Sequence, residues 1–294
     1  MKQRRGDSET RRHSEAKADR RVSLSTSPRI SSAPVIALTT DFGNADYFVG
    51  AMKGAILSRN PKARIVDLTH EIPAHDVAAA AFTLLGAYNA FPNRTVHVAV
   101  VDPGVGSARR GIVVEAGKQL FVGPDNGVFS YIYDREPAFS VFELSDEKYF
   151  CNPVSTTFHG RDIFAPVAAA LAKGVAAANF GKQITDPVRL APLTPETKDT
   201  KLLARVIHID RFGNCVTNIT RRELTQQAID AGAVLVVKGR KVKSFRNFFA
   251  EPTKDRSKVF CIWGSAGFLE IVANNSSAAK LLKVRTGTPV VLKY

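Results

Sequence analysis

Asp102 and Arg109 stand on either side of the turn "PGVGSA", and His159 sits beside Gly160 in "STTFHGRD". Gly104 and Gly106 permit positive φ, so the chain can double back and return Arg109 towards Asp102. A carboxylate next to a guanidinium favours its charged form, and the arginine fork keeps donors over for a third partner. Two readings stand: a charge pair that acts on that third group, or a salt bridge that only ties a loop. His159 is the general-base candidate by residue type, while a lone histidine equally serves a structural end.

Other chemistry-bearing residues sit at similar places. Asp41 follows the apolar run "VIALTT", and Asp125 follows "QLFVG". Either carboxylate offers two acceptor oxygens, enough for a vicinal diol such as a ribose, or caps a turn. In "IDRFGNCVTN", Asp210, Phe212 and Asn214 bracket a turn. Phe212 offers a stacking face and Asn214 a donor–acceptor pair, which suit a purine; a plain hairpin turn with a core Phe accounts for them equally. Asp41, Asp102, Asp125, His159 and Asp162 are possible metal ligands by type, but no H-x-x-x-H or H-E-x-x-H spacing demands a metal. There is no Walker loop and no G-x-G-x-x-G.

These residues need elements to hold them. Residues 1–33 are charged and polar, too poor in large apolar side chains to offset ordering entropy, and are expected to be a disordered basic tail. From residue 34 to 186, short β-type runs ("VIALTT", "ARIVDLTH", "TVHVAVV") alternate with helical spacing ("YFVGAMKGAILSRN", "DVAAAAFTLLGAYNAF", "RDIFAPVAAALAKG"). "GIVVEAG" and "QLFVG" read as a hairpin, "NGVFSYIYD" as a short helix, and Asp76 as a helix cap. This predicts an α/β domain with a mostly parallel sheet and helices on both faces, in which ligands sit outside the carboxyl ends of the strands. The proline-rich segment 187–200 reads as a linker. Residues 201–294 hold closely spaced β-type runs, "LLKV" among them, and predict a smaller all-β, barrel-like domain.

Composition narrows the class. The chain has 294 residues, enough for two domains, and its apolar share of 45% supports a sizeable core. No apolar run reaches the ~18 residues of a spanning helix, and the N-terminus lacks a secretory apolar stretch. Cys151, Cys215 and Cys261 form no CxxC pair and no disulfide framework, which points to a reducing, cytoplasmic setting. Net charge is +14, a balance that draws anionic partners or simply solvates the surface. No aromatic-interleaved basic segment suggests base stacking, so a nucleic-acid partner is not expected.

Taken in order, "LTTDFGNADYFVGAMKGAI", "IVDLTHEIPAHDV", "VVDPGVGSARR", "GPDNG", "TFHGRDIFAP" and "DRFGNCVTNI" resemble the S-adenosyl-L-methionine hydroxide adenosyltransferases, relatives of the fluorinase and chlorinase that make 5′-halo-adenosines. The resemblance runs from about Val35 to the C-terminus. It implies an α/β domain, a C-terminal β-barrel, and a homotrimer with each site between neighbouring subunits. It also implies hydrolysis of S-adenosyl-L-methionine to adenosine and L-methionine, with no cofactor and no metal. By resemblance, Asp102, Arg109 and His159 activate water, Asp41 holds the ribose hydroxyls, and Asp46 and Asp210 lie near the methionine amino group. Phe158 belongs to the substrate-binding set, Phe212 and Asn214 match the adenine site, and Ser265 lies near the methionine carboxylate. The halogenating relatives carry Tyr in place of Asp102 and arginines in place of Ala266 and Ala273. The first difference points to water as nucleophile; the others leave part of the methionine carboxylate and adenine contacts unassigned. A halide-using variant of the same site, a metal phosphohydrolase built on the aspartates, and a nucleic-acid-binding protein driven by charge are the competing expectations.

Overall fold

The computed structural model describes residues 35–199, 201–251 and 257–294; the tail expected over 1–33 lies outside them. Two sheets organise the described chain. The first is built from β1 (Val35–Thr40), β2 (Arg64–Thr69), β3 (Val96–Val100), β4 (Gly111–Ala116), β5 (Gln119–Pro124), β6 (Phe139–Glu143) and β7 (Gln183–Ile184). Its helices are α1 (Phe48–Arg59), α2 (Val77–Ala87), α3 (Ser130–Arg135) and α4 (Ala165–Ala172). The strand order is β2-β1-β3-β5-β4-β6-β7.

That order corrects one expectation. The pairings β1–β2, β1–β3 and β3–β5 are parallel, but β4–β5, β4–β6 and β6–β7 are antiparallel, so the sheet is mixed. The hairpin read from "GIVVEAG" and "QLFVG" is the cause. Its second strand slots beside β3 and its first strand lies beyond it, so β4 runs against its neighbours, β6 returns to the direction of β3 and β5, and β7 runs against it again.

The apolar runs are long because both faces of the sheet are covered. Ile36, Leu38, Val96, Val98, Val100 and Val122 pack towards α1 and α4, whereas Ala99, Val101, Ile112, Val114 and Phe121 pack towards α2 and α3. Each fully buried Val, Leu or Ile contributes ~1.5–3 kcal/mol, so the central strands form a rigid base. Asp76 caps α2, its Oδ1 accepting the Ala79 N–H at 2.9 Å.

The second sheet contains β8 (Glu196–Lys198), β9 (Lys201–Ile209), β10 (Cys215–Thr220), β11 (Val234–Val237), β12 (Arg240–Val242), β13 (Val259–Trp263), β14 (Phe268–Ala273) and β15 (Pro289–Lys293), with short helices α5 (Gln226–Asp230) and α6 (Ala278–Leu282). It is antiparallel and runs β12-β11-β15-β9-β10-β14-β13, β8 lying on β9. Just past β12 the chain meets β13, where Cys261 N–H donates to Ser244 C=O at 2.8 Å, so the sheet curls almost closed. Its concave side holds Leu202, Val206, Leu235, Leu269, Ile271 and Leu292. The run "LLKV" is not a strand. It is the end of α6, whose N-terminus is fixed by the Ser277 hydroxyl accepting the Lys280 N–H at 3.1 Å; a short apolar run is ambiguous until its cap is placed. The outer face of the curled sheet packs on α2, where Phe82 stacks on His208 at 4.9 Å and meets Phe268 at 5.9 Å.

Candidate active site

At the carboxyl ends of β1 and β3 lies a cavity of about 320 Å³. Asp41, His75, Asp102, Val105, Phe158 and His159 are in its wall. Ligand pockets commonly begin near 300 Å³, so one nucleoside-sized group fits and a larger one must extend outwards. Phe42, Phe48 and Phe158 pack edge-on at 5.2–5.9 Å and make one side of the cavity apolar.

Arg109 joins the two loops that frame the cavity. Its Nε donates to Asp102 Oδ1 at 3.0 Å and its Nη2 to Asp102 Oδ2. Nη2 also reaches His159 Nδ1 at 2.7 Å. Arginine only donates, so Nδ1 of His159 is the acceptor, and the neutral ring carries its proton on Nε2. Nε2–H is therefore the ring group left for a ligand. Burial, and after it the Arg109 charge, lowers the His159 pKa from its ordinary value, which keeps the ring neutral near pH 7. The Asp102 side chain is only 5% exposed.

Two local features bring these loops together. Gly106 has φ +78°, and a Cβ there would lie 2.2 Å from the Thr156 carbonyl oxygen, so only glycine lets the 102–109 turn seat against the 155–159 loop. After His159 the chain winds as a π-turn, Gly160–Phe164, before α4 begins. Such turns re-aim the residues at a helix start. Asp162, inside that turn, accepts the Ser155 N–H at 2.9 Å and pairs with Arg161, which fixes the loop.

Arg110 has a different task from its neighbour. It donates to Asp125 Oδ2 at 2.6 and 2.9 Å, and to the side chain and carbonyl of Asp186, each at 2.9 Å. Asp125 also accepts the Val188 N–H at 2.8 Å. Asp125 thus anchors the segment leading to the second sheet. Among the described residues, no three His, Cys, Asp or Glu side chains converge as metal ligands would.

Asp41, Asp102, Phe158 and His159 line this cavity, with Arg109 bonded to two of them. Asp46 lies exposed in the loop before α1. Asp210, Phe212, Asn214 and Ser265 do not line the cavity. Asp210 accepts the Phe212 and Asn214 N–H groups at 2.9 and 2.8 Å and the Asn214 amide at 2.9 Å, and Phe212 projects into solvent, 77% exposed. Ser265 is in the exposed turn between β13 and β14.

Two residues of this kind escape sequence reasoning. His75 lines the cavity in a left-handed conformation, φ 67°, and its N–H donates to Asp41 Oδ2 at 2.9 Å. Glu270 on β14 has its pKa raised by burial and then by Asp210, and its carboxylate lies against Gly264, beside Ser265. Its side chain makes no hydrogen bond or ion pair with a described residue. The positive-φ demand at position 75 has no residue signature, and Glu270 reads as the polar half of an alternating strand.

A polar relay at the carboxyl end of a sheet, beside an apolar-walled cavity, is the layout of a small-molecule enzyme. The sequence profiles of the S-adenosyl-L-methionine hydroxide adenosyltransferase N-terminal and C-terminal domains match residues 36–181 and 204–291, and the chain belongs to that family. It is 38% identical to the (R)-S-adenosyl-L-methionine hydrolase of Methanocaldococcus jannaschii, over 85% of this chain and 92% of that one. It is 25% identical to the fluorinase of Nocardia brasiliensis, over 88% and 97%. The crystal structure of an uncharacterized conserved protein from Thermotoga maritima superposes with a TM-score of 0.82 at 33% identity, covering 88% of this chain and all of that one.

Proposed function

We propose that this protein hydrolyses S-adenosyl-L-methionine to adenosine and L-methionine. The observation that carries the reading is Arg109, held between Asp102 and His159 at the wall of the cavity that also contains Asp41. The sulfonium substrate already has its leaving group: it departs as a neutral thioether and needs no acid. The difficult partner is water, whose pKa is about 15.7. Attack forms the O–C5′ bond and breaks C5′–S, the bonding pair leaving on sulfur. His159 Nε2–H holds the attacking oxygen, Arg109 fixes the ring, and the proton shed by water passes to Asp102, whose oxygens keep lone pairs beyond those taken by Arg109. Asp41 holds the ribose hydroxyls, and Phe158 backs the nucleoside. Most of the rate comes from in-line placement.

The second-sheet residues complete the site from a neighbouring copy in a homotrimer. Phe212 and Asn214 take the adenine, and Ser265 the methionine carboxylate. Asp210 with Glu270, and Asp46 from the first sheet, face the ammonium group. What supports this is the exposure of Phe212 and its absence from the cavity of its own chain. No metal takes part in this scheme. The free thiols of Cys151, Cys215 and Cys261 support a cytoplasmic setting. We take 187–200 as the linker between the two domains; the gap between the two profile matches supports that choice.

The test is incubation with S-adenosyl-L-methionine, with and without chloride, followed by chromatography. Adenosine and methionine in both samples are expected. 5′-Chloro-adenosine would make the protein a halide-using enzyme.

A further inference from the structure

A second cavity, of about 560 Å³, shares no residue with the first. It lies where α2 and α3 meet the end of β10 and the start of β14. Arg135, Arg221 and Arg222 line it. The side chains of Arg135 and Arg222 make no hydrogen bond or ion pair with a described residue, and Arg221 lies over the Trp263 ring at 4.6 Å. Of the two carboxylates in the wall, Asp134 pairs with Arg189 at 3.1 Å, and Glu223 accepts the Thr220 N–H and hydroxyl at 2.8 and 2.7 Å, so three arginines face one carboxylate that no cation among the described residues neutralises. Positive charge is therefore left over.

Two neutral donors join it. The Tyr131 hydroxyl is bonded to no described residue. Asn218 is 1% exposed; its Oδ1 accepts the Arg205 N–H at 2.7 Å, but its Nδ2 has no partner among the described residues. A buried donor without an acceptor costs about 1–3 kcal/mol, and an oxygen of a bound ligand would relieve that cost. Guanidinium forks match phosphate oxygens, and a tetrahedral anion offers outer oxygens to donors from several directions, where a carboxylate offers two in one plane. The volume exceeds that of a free ion and falls in the ~300–1,000 Å³ range of small-molecule pockets.

We propose that this interdomain cavity binds a phosphate monoester of small-molecule size, held by Arg135, Arg222, Tyr131 and Asn218. The site is separate from that of the sulfonium substrate, whose positive charge the arginines repel.

Calorimetry on the full chain tests it, with ribose 5-phosphate as probe, ribose as neutral control and inorganic phosphate as free ion. The phosphate ester should bind at one site per chain, and ribose should not. The paired change Arg135→Gln with Arg222→Gln should weaken the ester roughly tenfold or more, the weight of a lost charged hydrogen bond. Asn218→Asp keeps the acceptor for Arg205 but replaces the free donor with an anion, and should weaken it at least as much. Unchanged turnover of S-adenosyl-L-methionine in all variants, and an unchanged thermal transition in the arginine pair, show that they are folded. No binding of the ester at millimolar concentration, binding of inorganic phosphate alone, or ester binding indifferent to the arginine changes would each overturn the proposal.

Discussion

His159→Gln and His159→Ala should part company. Arg109 donates to Nδ1 at 2.7 Å, so the ring works through Nε2–H, as a donor to the attacking oxygen and not as its base. The amide nitrogen of Gln reaches nearly the same place and also donates. Losing one donor aimed at developing charge costs ~10²–10³-fold in turnover, so His159→Ala should fall by that amount while His159→Gln stays within about tenfold of wild type. Neither should shift substrate affinity much, because the charge develops only in the transition state. The acid limb gives a second reading. Protonating Nδ1 would turn the acceptor for Arg109 into a donor facing a cation. The His159 pKa lies below 6.5, through burial first and the Arg109 charge second, so turnover should be flat above that value and fall as pH drops through the lowered pKa. The Gln variant should lose this limb. The assay is steady-state adenosine release across pH, with calorimetry for affinity. If His159→Gln is as inactive as His159→Ala while both bind substrate normally, His159 is the base and the tautomer argument is wrong.

Gly106→Ala puts a Cβ 2.2 Å from the Thr156 oxygen at φ +78°, so the two loops must separate; an ångström of misplacement costs ~10²-fold, and turnover should drop that far with the substrate still bound. His75→Gly relieves a left-handed non-glycine conformation worth about 1–3 kcal/mol, so the melting temperature should hold or rise; because His75 lines the cavity, adenosine affinity measured by calorimetry should nevertheless fall several-fold. His97 is buried, both ring nitrogens find no hydrogen-bond partner among the described residues, and burial lowers its pKa to about 4. Its folded value is below its unfolded one, so its share of stability is complete above pH ~6.5 and is lost as pH falls towards 4, ~3 kcal/mol in all. Urea unfolding of His97→Leu should show a flatter acid limb; an unchanged limb would remove His97 as its source.

Much of the cavity wall is legible in the sequence because its residues end strands. Asp41 and Asp102 follow apolar runs, and glycines mark the turn that returns Arg109. Asp125 fits the same pattern yet turned out to be an anchor, since nothing in a sequence distinguishes a carboxylate facing a ligand from one facing Arg110 and Val188. The mixed sheet was hidden because a hairpin does not declare which of its strands will join β3. The tie between His159 and Arg109 spans 50 positions and depends on tertiary contact alone.

Arg109 and Arg110 share one peptide unit. The first holds His159, and the second holds Asp125 and the carbonyl of Asp186, two residues before Val188. Tension at one is therefore felt at the other. The route from the segment entering the second sheet to the histidine ring is the Arg110 side chain, one planar amide and the Arg109 side chain, each end fixed by hydrogen bonds. Linkage makes such a coupling reciprocal: a ligand that tightens the grip of Arg109 also stiffens the strap at Asp186, by the same free energy. Two adjacent arginines thus place the ring that faces the cavity and the strap that leads to the second sheet on one short stretch of backbone.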